Sequence, residues 1–190
     1  GWQEFGFPQT GAADKKAMYL ANLLVGNDPG EGVLEMTVKG ITAQFFADCT
    51  IALTGAEIPA LLNGNSLPPY TAIPVTKGSI LHMAAAVSGC RGYLAVSGGF
   101  ALDKEMGSLS TGLKFGVGGF HGRKLRQKDE LPLKAPKILP DAKRRTISRP
   151  VYEAELSIRA IPGPQDDYFT EQGMKTFFSA SYRVTPASDR

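Results

Sequence analysis

Apolar residues along the chain recur first at the spacing of a helix and then at the spacing of β-strands. The helical part has apolar residues at positions i, i+3, i+4 and i+7, namely Ala17, Leu20, Ala21 and Leu24. Asp14 is a candidate N-cap residue for this helix, and Gly26 is a candidate residue for its C-terminal end. The pattern therefore predicts one helix with a single buried face.

From Val33 onward apolar and polar residues alternate, which is typical of strands that bury one face. Asn63-Gly64 is the strongest hairpin signal, and we also expect hairpins at Lys39-Gly40 and Lys77-Gly78. The segments with a strand pattern are 33–38, 41–46, 49–54, 60–62, 65–67, 71–75, 79–83 and 93–96. Strands at intervals of roughly ten residues, together with one clear helix, favour a β-barrel or a β-sandwich over a βαβ fold.

The composition changes after Asp129. Residues 131–150 contain four prolines and a cluster of basic residues, and we interpret 132–150 as a solvated connector. An alternative role for this cluster is to bind an acidic partner or a phosphate. We predict a first β-barrel lobe at 1–131, the connector at 132–150 and the start of a second lobe at 151–190. Within that second lobe, 151–161 and 182–185 have strand patterns, and 166–180 could form a helix.

Charge and hydropathy argue against several classes of protein. The net charge is only +3 and the basic residues outside the connector are scattered, which does not indicate nucleic-acid binding. The apolar runs are broken well before the roughly 20 residues of a membrane span, and no signal peptide is visible at the start. Cys49 and Cys90 have neither a CxxC spacing nor a nearby His. We therefore expect buried free thiols in a cytoplasmic protein without a metal site.

Residues 98–123 contain eight of the 22 glycines. Such a density indicates either a loop that lets a ligand approach the backbone or a run of tight turns between strands. Gly107 and Gly112 have the glycine spacing of a phosphate-binding P-loop. Leu113, however, occupies the position of the required lysine, so we reject that interpretation.

The titratable residues do not by themselves assign a reaction. His82 lies in an apolar strand pattern and is expected in the core, whereas His121 lies in the glycine-rich stretch and is a candidate general base or phosphate ligand. Asp14 could act as a catalytic carboxylate as well as a helix cap. Glu35 lies on the polar face of a strand and is expected to be solvated. No spacing pairs the carboxylates.

Several ordered motifs resemble one family, the carboxyltransferase-type family also called allophanate hydrolase subunit 2. They are GFPQTGAAD at 6–14, LANLLVGN at 20–27, IALTGA at 51–56, YLAVSGGF at 93–100, GSLST at 107–111, GVGGFHGR at 116–123, PGPQ at 162–165 and SDR at 188–190. Thr10 stands where the family usually has serine, and Ala13 where it has methionine. Family sequences begin earlier and continue well past 190, so we expect the second lobe to be truncated here.

The resemblance implies a mainly β fold, a cyclophilin-like β-barrel with one or two short helices. It implies a subunit of an ATP-dependent 5-oxoprolinase complex, which opens the lactam of 5-oxoproline to L-glutamate and is inactive without its partner subunits. The partners would be an allophanate hydrolase subunit 1-like chain and a third subunit, and the complex would use ATP. Two alternatives are a biotin-dependent carboxyltransferase of the urea and allophanate pathway and a non-catalytic binder of a kinase inhibitor.

The resemblance also singles out candidate site residues, because it gives the clustered hydroxyls and glycines a role. The candidates for catalysis are Asp14, Ser110, Thr111 and His121. The candidates for binding substrate or nucleotide are Thr10, Gly11, Gly98, Gly99, Ser108, Gly118, Gly119, Gln165, Asp189 and Arg190. Hydroxyl and backbone N–H groups suit this chemistry because they donate hydrogen bonds to an oxyanion or a phosphate.

Overall fold

The computed structural model describes residues 2–6, 9–151 and 155–185. The chain divides into two compact units, Gly1–Tyr152 and Glu153–Arg190. Among the described residues of the first unit, helix α1 spans Lys15–Leu24, and short 3₁₀ turns occupy Trp2–Phe5 and Ala142–Arg144. The strands of this unit are β1 (Leu34–Thr37), β2 (Thr42–Gln44), β3 (Cys49–Glu57), β4 (Ala60–Leu62), β5 (Asn65–Ser66), β6 (Ala72–Val75), β7 (Ile80–Met83) and β8 (Ser88–Val96).

The strands form two four-stranded antiparallel sheets. The first has the order β1-β8-β3-β6 and the second the order β2-β7-β4-β5. The prediction of a mainly β fold with one or two short helices is confirmed. The Asn63-Gly64 hairpin is also confirmed, because Leu62 pairs with Asn65 across a turn in which both central residues have positive φ, 50° and 84°.

The other two predicted hairpins are wrong. Strand β1 pairs with β8 rather than with β2, and β6 pairs with β3 rather than with β7. In each case two strands that are consecutive in the chain belong to different sheets. Lys39-Gly40 and Lys77-Gly78 therefore carry the chain from one sheet to the other.

The two sheets share one apolar core. Its buried members come from strands of both sheets and from the segments that join them: Met36, Phe45, Cys49, Ile51, Leu53, Ala60, Val75, Leu81, Met83, Leu94, Val96 and Phe100. Complete burial of one large aliphatic side chain contributes about 1.5–3 kcal/mol relative to exposure. Burial of these side chains therefore stabilises the packing of the two sheets against each other.

Helix α1 covers the opposite face of the first sheet. Its predicted caps are confirmed, since the Asp14 carboxylate accepts a 2.9 Å hydrogen bond from the Ala17 N–H and Gly26 follows the C-cap residue with φ +70°. Ala17 and Ala21 present only methyl groups to the sheet. The helix backbone therefore lies close enough for the Thr54 hydroxyl to donate a 2.7 Å hydrogen bond to the Ala17 carbonyl.

The expectation that 132–150 is a solvated connector is corrected for its central part. Leu139 and Ala142 are buried in the apolar cluster beneath α1. The Ser97 hydroxyl donates to the Lys137 carbonyl at 2.7 Å, and the Ala72 N–H donates to the Arg145 carbonyl at 2.9 Å. Prolines and basic residues suggested a linker, but Leu139 and Ala142 are buried while Lys143 and Arg144 remain exposed. The division into lobes at 131 and 151 stays a prediction.

The second unit contains helix α2 (Glu171–Ser179), preceded by a 3₁₀ turn at Asp166–Tyr168. The Thr170 hydroxyl caps α2 by accepting a hydrogen bond from the Gly173 N–H. The strands predicted at 151–161 and 182–185 are absent from the described residues of these segments. Their side chains are exposed, and their backbone pairs with no other strand. Neither α1 nor α2, the α-helices among the described residues, is long and apolar enough to cross a membrane.

Two asparagines tie the end of α1 to the turn after β8. The Asn27 amide donates to the Val96 carbonyl at 2.9 Å and accepts from the Gly98 N–H at 2.8 Å. Asn27 also donates to the side-chain oxygen of Asn22, which is fully buried and itself donates to the Glu31 carbonyl. One side chain therefore satisfies two backbone groups of the turn that opens the glycine-rich stretch.

We expect Asn27→Ala to lower the free energy of unfolding by about 1–3 kcal/mol, because the part-buried Gly98 N–H loses its partner and the Val96 carbonyl keeps only the bond from the Gly99 N–H. Urea unfolding followed by circular dichroism measures the loss. Asn65→Ala, in the exposed strand β5, is the matched control and should change stability by less than about 0.5 kcal/mol. Equal losses of unfolding free energy in the two variants would show that the Asn27 hydrogen bonds do not stabilise the turn after β8.

Candidate functional site

The segment that leads into α1, residues 10–14, lies between two polar clusters. The first is a hydroxyl cluster formed by Thr10, Ser108 and Ser110. Thr10 and Ser110 share a hydrogen bond of 2.6 Å, and Ser108 and Ser110 share one of 2.8 Å. Because three hydroxyls carry three protons and these two bonds use two of them, the cluster can donate one hydrogen bond to a ligand. Predicted site residues 100 positions apart in sequence are thus brought together.

Tight turns in the glycine-rich stretch pack against the backbone of this cluster. Gly112 pairs with Val117 as an isolated bridge. A Cβ at Gly118 would meet the Ser110 carbonyl, and a Cβ at Gly119 would meet the Thr111 hydroxyl. Both glycines have positive φ, 69° and 55°. Glycine is required at these two positions because the backbone turns directly beneath the serine and threonine.

The backbone N–H groups expected to serve as oxyanion donors are in part already used. The Gly98 N–H donates to the Asn27 side chain and the Gly99 N–H to the Val96 carbonyl. The Gly118 N–H donates to the Glu105 carboxylate at 2.7 Å. These groups stabilise the loop itself, so the hydroxyl cluster is the better source of hydrogen bonds to a ligand.

The remaining predicted residues are more dispersed. His121 is exposed, has φ +57° and packs its ring against Phe120 with the ring centroids 4.3 Å apart. Gly11 approaches the hydroxyl cluster, since a Cβ there would lie 3.8 Å from the Ser110 Cβ. Gln165 is exposed in the second unit, and Asp189 and Arg190 lie outside the described residues. Their predicted roles stay predictions.

An ion pair closes the glycine-rich stretch at its C-terminal end. The Arg123 guanidinium contacts both carboxylate oxygens of Asp129 at 2.7 and 2.8 Å and lies 5.5 Å from the centroid of the Phe120 ring. The hydrogen bonds from Arg123, followed by one from the Arg126 N–H, hold the pKa of Asp129 well below its usual range. Arg123 is thus committed to this turn rather than available to bind a phosphate.

The second polar cluster surrounds Glu35, which the sequence pattern predicts to be solvated. Its carboxylate accepts hydrogen bonds of 2.9 Å from the Ala13 N–H, the Tyr93 hydroxyl and the Arg91 guanidinium. Tyr93 also accepts from the Asp14 N–H at 2.7 Å. Glu35 and Tyr93 are direct partners in the β1–β8 register, so the two strands build this cluster. The sequence pattern missed it because the pattern does not contain the register.

Tyr93 is the buried centre of this cluster. Its side chain is fully buried, and this burial, to which the neighbouring Glu35 carboxylate adds, raises the pKa of Tyr93 to about 12. The hydroxyl therefore stays protonated at neutral pH. It acts as a donor to Glu35 and an acceptor from Asp14, which fixes the start of α1 on the sheet.

Two expectations about other reactive residues are corrected. His82 is exposed on β7 rather than in the core, and its Nδ1 shares a 2.9 Å hydrogen bond with the Thr42 hydroxyl. Cys49 is buried as expected, but Cys90 is exposed. In the part of the chain that the structure describes, no group of three or more His, Cys, Asp or Glu residues could hold a metal ion.

We expect Tyr93→Phe to lower the free energy of unfolding by about 1–3 kcal/mol at neutral pH, since the hydrogen bonds that join the Tyr93 hydroxyl to the Asp14 N–H and to the Glu35 carboxylate are lost. An unfolded tyrosine titrates near pH 10. The difference in free energy of unfolding between the wild type and Tyr93→Phe should therefore be largest below pH 10 and become smaller as the pH rises towards 12. Chemical unfolding from pH 7 to 11.5 tests this, with the half-exposed Tyr19→Phe as control. A constant difference across that range would contradict the assigned environment.

The turn at Gly98 allows a matched test of backbone packing. Gly98 and Gly107 have nearly equal φ, +79° and +78°, but a Cβ at Gly98 would meet the Ala135 carbonyl, whereas one at Gly107 meets nothing within 4 Å. Gly107→Ala should lower the free energy of unfolding by about 1–2 kcal/mol, because alanine is strained in the left-handed conformation. Gly98→Ala should cost clearly more in thermal unfolding. Equal costs would show that the Ala135 carbonyl does not constrain the turn.

Comparison with known proteins gives a consistent result. The carboxyltransferase domain family, subdomains A and B, matches residues 5–190. The chain is 35% identical to the C subunit of 5-oxoprolinase from Escherichia coli, covering 100% of this chain and 60% of that protein. It is 31% identical to urea amidolyase of Saccharomyces cerevisiae, covering 100% of this chain and 11% of that protein.

Solved structures agree with the sequence comparison. The structure of the K. lactis urea amidolyase superposes with a TM-score of 0.77 at 28% identity, covering 96% of this chain and 12% of that one. The chain spans 60% of the length of the E. coli relative, so it corresponds to a part of that protein. With its two antiparallel sheets, the family motifs and these similarities, the chain belongs to the carboxyltransferase domain family, subdomains A and B.

Proposed function

We propose that this chain acts as a subunit of an ATP-dependent 5-oxoprolinase complex, which opens the lactam of 5-oxoproline to L-glutamate. The observation that carries the proposal is the 35% identity, along the whole chain, to a named subunit of 5-oxoprolinase from Escherichia coli. The same similarity supports partner chains. We propose an allophanate hydrolase subunit 1-like chain and a third subunit as those partners, with the complex in the cytoplasm.

The hydroxyl cluster suits one part of this chemistry. A lactam is a resonance-stabilised amide, and negative charge accumulates on its oxygen when water attacks the carbonyl carbon. A preorganised hydroxyl donor at that oxygen stabilises the transition state more than the substrate. Ser110 shares hydrogen bonds with both Thr10 and Ser108, so its orientation is held before the substrate binds. In this proposal Ser110 and Thr111 are the catalytic donors, and His121, exposed in the same glycine-rich stretch, is a candidate base.

The described residues fit a nucleotide less well than they fit an oxyanion. A phosphate cradle needs several backbone N–H groups directed at one point, and those of Gly98, Gly99 and Gly118 are used inside the fold. Arg123 is paired with Asp129. We therefore propose that ATP is bound mainly by partner subunits and that this chain contributes to binding or opening the lactam.

A second candidate is biotin-dependent carboxyl transfer to urea or a related amide. It is favoured by the similarity to urea amidolyase in sequence and in structure, at 31% identity and a TM-score of 0.77. The same hydroxyl donors would suit it, since the attacked carbonyl also develops a negatively charged oxygen.

The deciding experiment is turnover by the reconstituted subunits, with ATP and 5-oxoproline as substrates and L-glutamate and phosphate as the measured products. We expect product from the full set and none from this chain alone. Urea-dependent carboxyl transfer from a biotin carrier, without lactam opening, would favour the second candidate. Stable assembly without turnover of either substrate would favour a regulatory binder of a kinase inhibitor.

Within an active complex, Ser110→Ala and Thr111→Ala test the hydroxyl cluster and the threonine beside it. Loss of one oxyanion donor typically lowers kcat about 10²–10³-fold, with a smaller effect on KM. Ser66→Ala, a hydroxyl on the exposed strand β5, is the matched control and should leave both constants unchanged. Unchanged lactam opening in both Ser110→Ala and Thr111→Ala would exclude these hydroxyls from catalysis, even if the complex proves to be a 5-oxoprolinase.

A further inference from the structure

A small cavity adjoins residues 13–14, at the opposite end of the segment 10–14 from Thr10. It has a volume of about 220 Å³ and is lined by Ala13, Asp14, Ala56, Gly89, Cys90 and Arg91. Pockets that enclose drug-sized ligands are larger, about 300–1,000 Å³. The cavity is therefore suited to a small metabolite rather than to a nucleotide or a peptide.

The Arg91 guanidinium at this cavity is held in a fixed orientation. Its Nη1 donates to Glu35 at 2.9 Å and to Thr37 at 2.6 Å. Glu35 is in turn fixed by the buried Tyr93 hydroxyl and by the Ala13 N–H. The exposed fractions of the Arg91 and Glu35 side chains are only 27% and 25%, so solvent competes weakly for these bonds. A chain of hydrogen bonds that starts at a buried tyrosine thus supports one cation at the cavity wall, as in preorganised binding sites.

This arrangement leaves one edge of Arg91 for a ligand. A guanidinium carries five N–H donors, and the two bonds from Nη1 use the two protons on that nitrogen. The Nε and Nη2 groups form the opposite edge, and no hydrogen bond from them is made to the described residues. Two parallel N–H groups at such an edge match the two oxygens of a carboxylate.

Asp14 gives the same cavity a negative group. Its carboxylate caps α1 by accepting from the Ala17 N–H at 2.9 Å, and a carboxylate can accept several hydrogen bonds at once. A simple anion at Arg91 would be repelled by Asp14 and Glu35, and a simple cation at Asp14 would leave the Arg91 edge unpaired. A small zwitterion satisfies both groups at once. The methyl and methylene groups of Ala13, Ala56 and Gly89 would then contact its carbon atoms.

We propose that this cavity binds the zwitterion of a small amino acid, with the carboxylate on the Nε–Nη2 edge of Arg91 and the ammonium group at Asp14. The site is separate from the hydroxyl cluster and does not depend on the lactam reaction. Residues 13–14 line the cavity, whereas Thr10 belongs to the hydroxyl cluster.

The two cysteines provide a direct test. Cys90 is exposed and lines the cavity, whereas burial raises the pKa of Cys49 to about 12 and keeps that thiol unreactive. The rate of Cys90 alkylation by N-ethylmaleimide, an uncharged reagent, is followed by mass spectrometry of the intact chain. Glycine, L-alanine and L-glutamate are the zwitterionic probes, and propionate and methylamine are the matched probes that carry one charge each.

We expect at least one amino acid to slow alkylation about tenfold at a concentration ten times its Kd, and the two singly charged probes to protect much less. Arg91→Lys keeps the charge but loses the planar edge, so protection should fall. Arg145→Lys, which alters an exposed ion pair with Asp141, should retain it. If Arg91→Lys does not fold, amide chemical shifts of Ala13, Asp14 and Gly89–Arg91 in the wild type report on the same binding.

Three results would overturn the proposal. Alkylation and amide shifts that respond to none of the amino acids would show that the cavity binds no such ligand. Equal protection by propionate would show a plain anion site. Protection that is as strong in a folded Arg91→Lys variant as in the wild type would show that the guanidinium edge is not used. None of these outcomes depends on whether the chain takes part in lactam opening.

Discussion

The fold depends on the burial of β3 on both faces. Cys49, Ile51 and Leu53 point into the core that the two sheets share, while Ala52 lies beneath α1. Both edges of the strand are also paired, with β8 on one side and β6 on the other. A strand enclosed in this way must be apolar on both sides and small where the helix approaches. Its core-facing residues are apolar, and on the helix-facing side Ala52 lies between Thr50 and Thr54, small residues whose buried hydroxyls are hydrogen-bonded.

The candidate functional part of the molecule is built on the segment that joins this scaffold to α1. Residues 10–14 contact the hydroxyl cluster through Thr10 and the Glu35 cluster through Ala13 and Asp14. The first connection reaches the glycine-rich stretch, and the second reaches β1 and β8. One short segment therefore couples a loop made of tight turns to the sheet that contains β3. Such coupling keeps the Thr10 and Ser110 hydroxyls oriented through hydrogen bonds within the protein.

Elements defined by neighbouring residues were predictable from the sequence. The caps of α1 and the Asn63-Gly64 hairpin depend on contacts within a few positions, and all were predicted correctly. The family motifs also placed Ser108, Ser110 and Thr10 among the candidates without any knowledge of their contacts. The hairpins at Lys39-Gly40 and Lys77-Gly78 were wrong because an alternating pattern shows that a strand exists but not which strand it pairs with.

The sequence by itself determined the mainly β class, the helix α1 with its caps, and the family. These follow from periodicity, local hydrogen bonding and ordered motifs. Only the tertiary structure decided that Glu35 meets Tyr93 and Arg91 and that Thr10 meets Ser110. It also decided that the Gly98 N–H donates a hydrogen bond within the protein and that Leu139 is buried. The physical reason is that these contacts depend on strand register and on chain segments far apart in sequence, which no local pattern encodes.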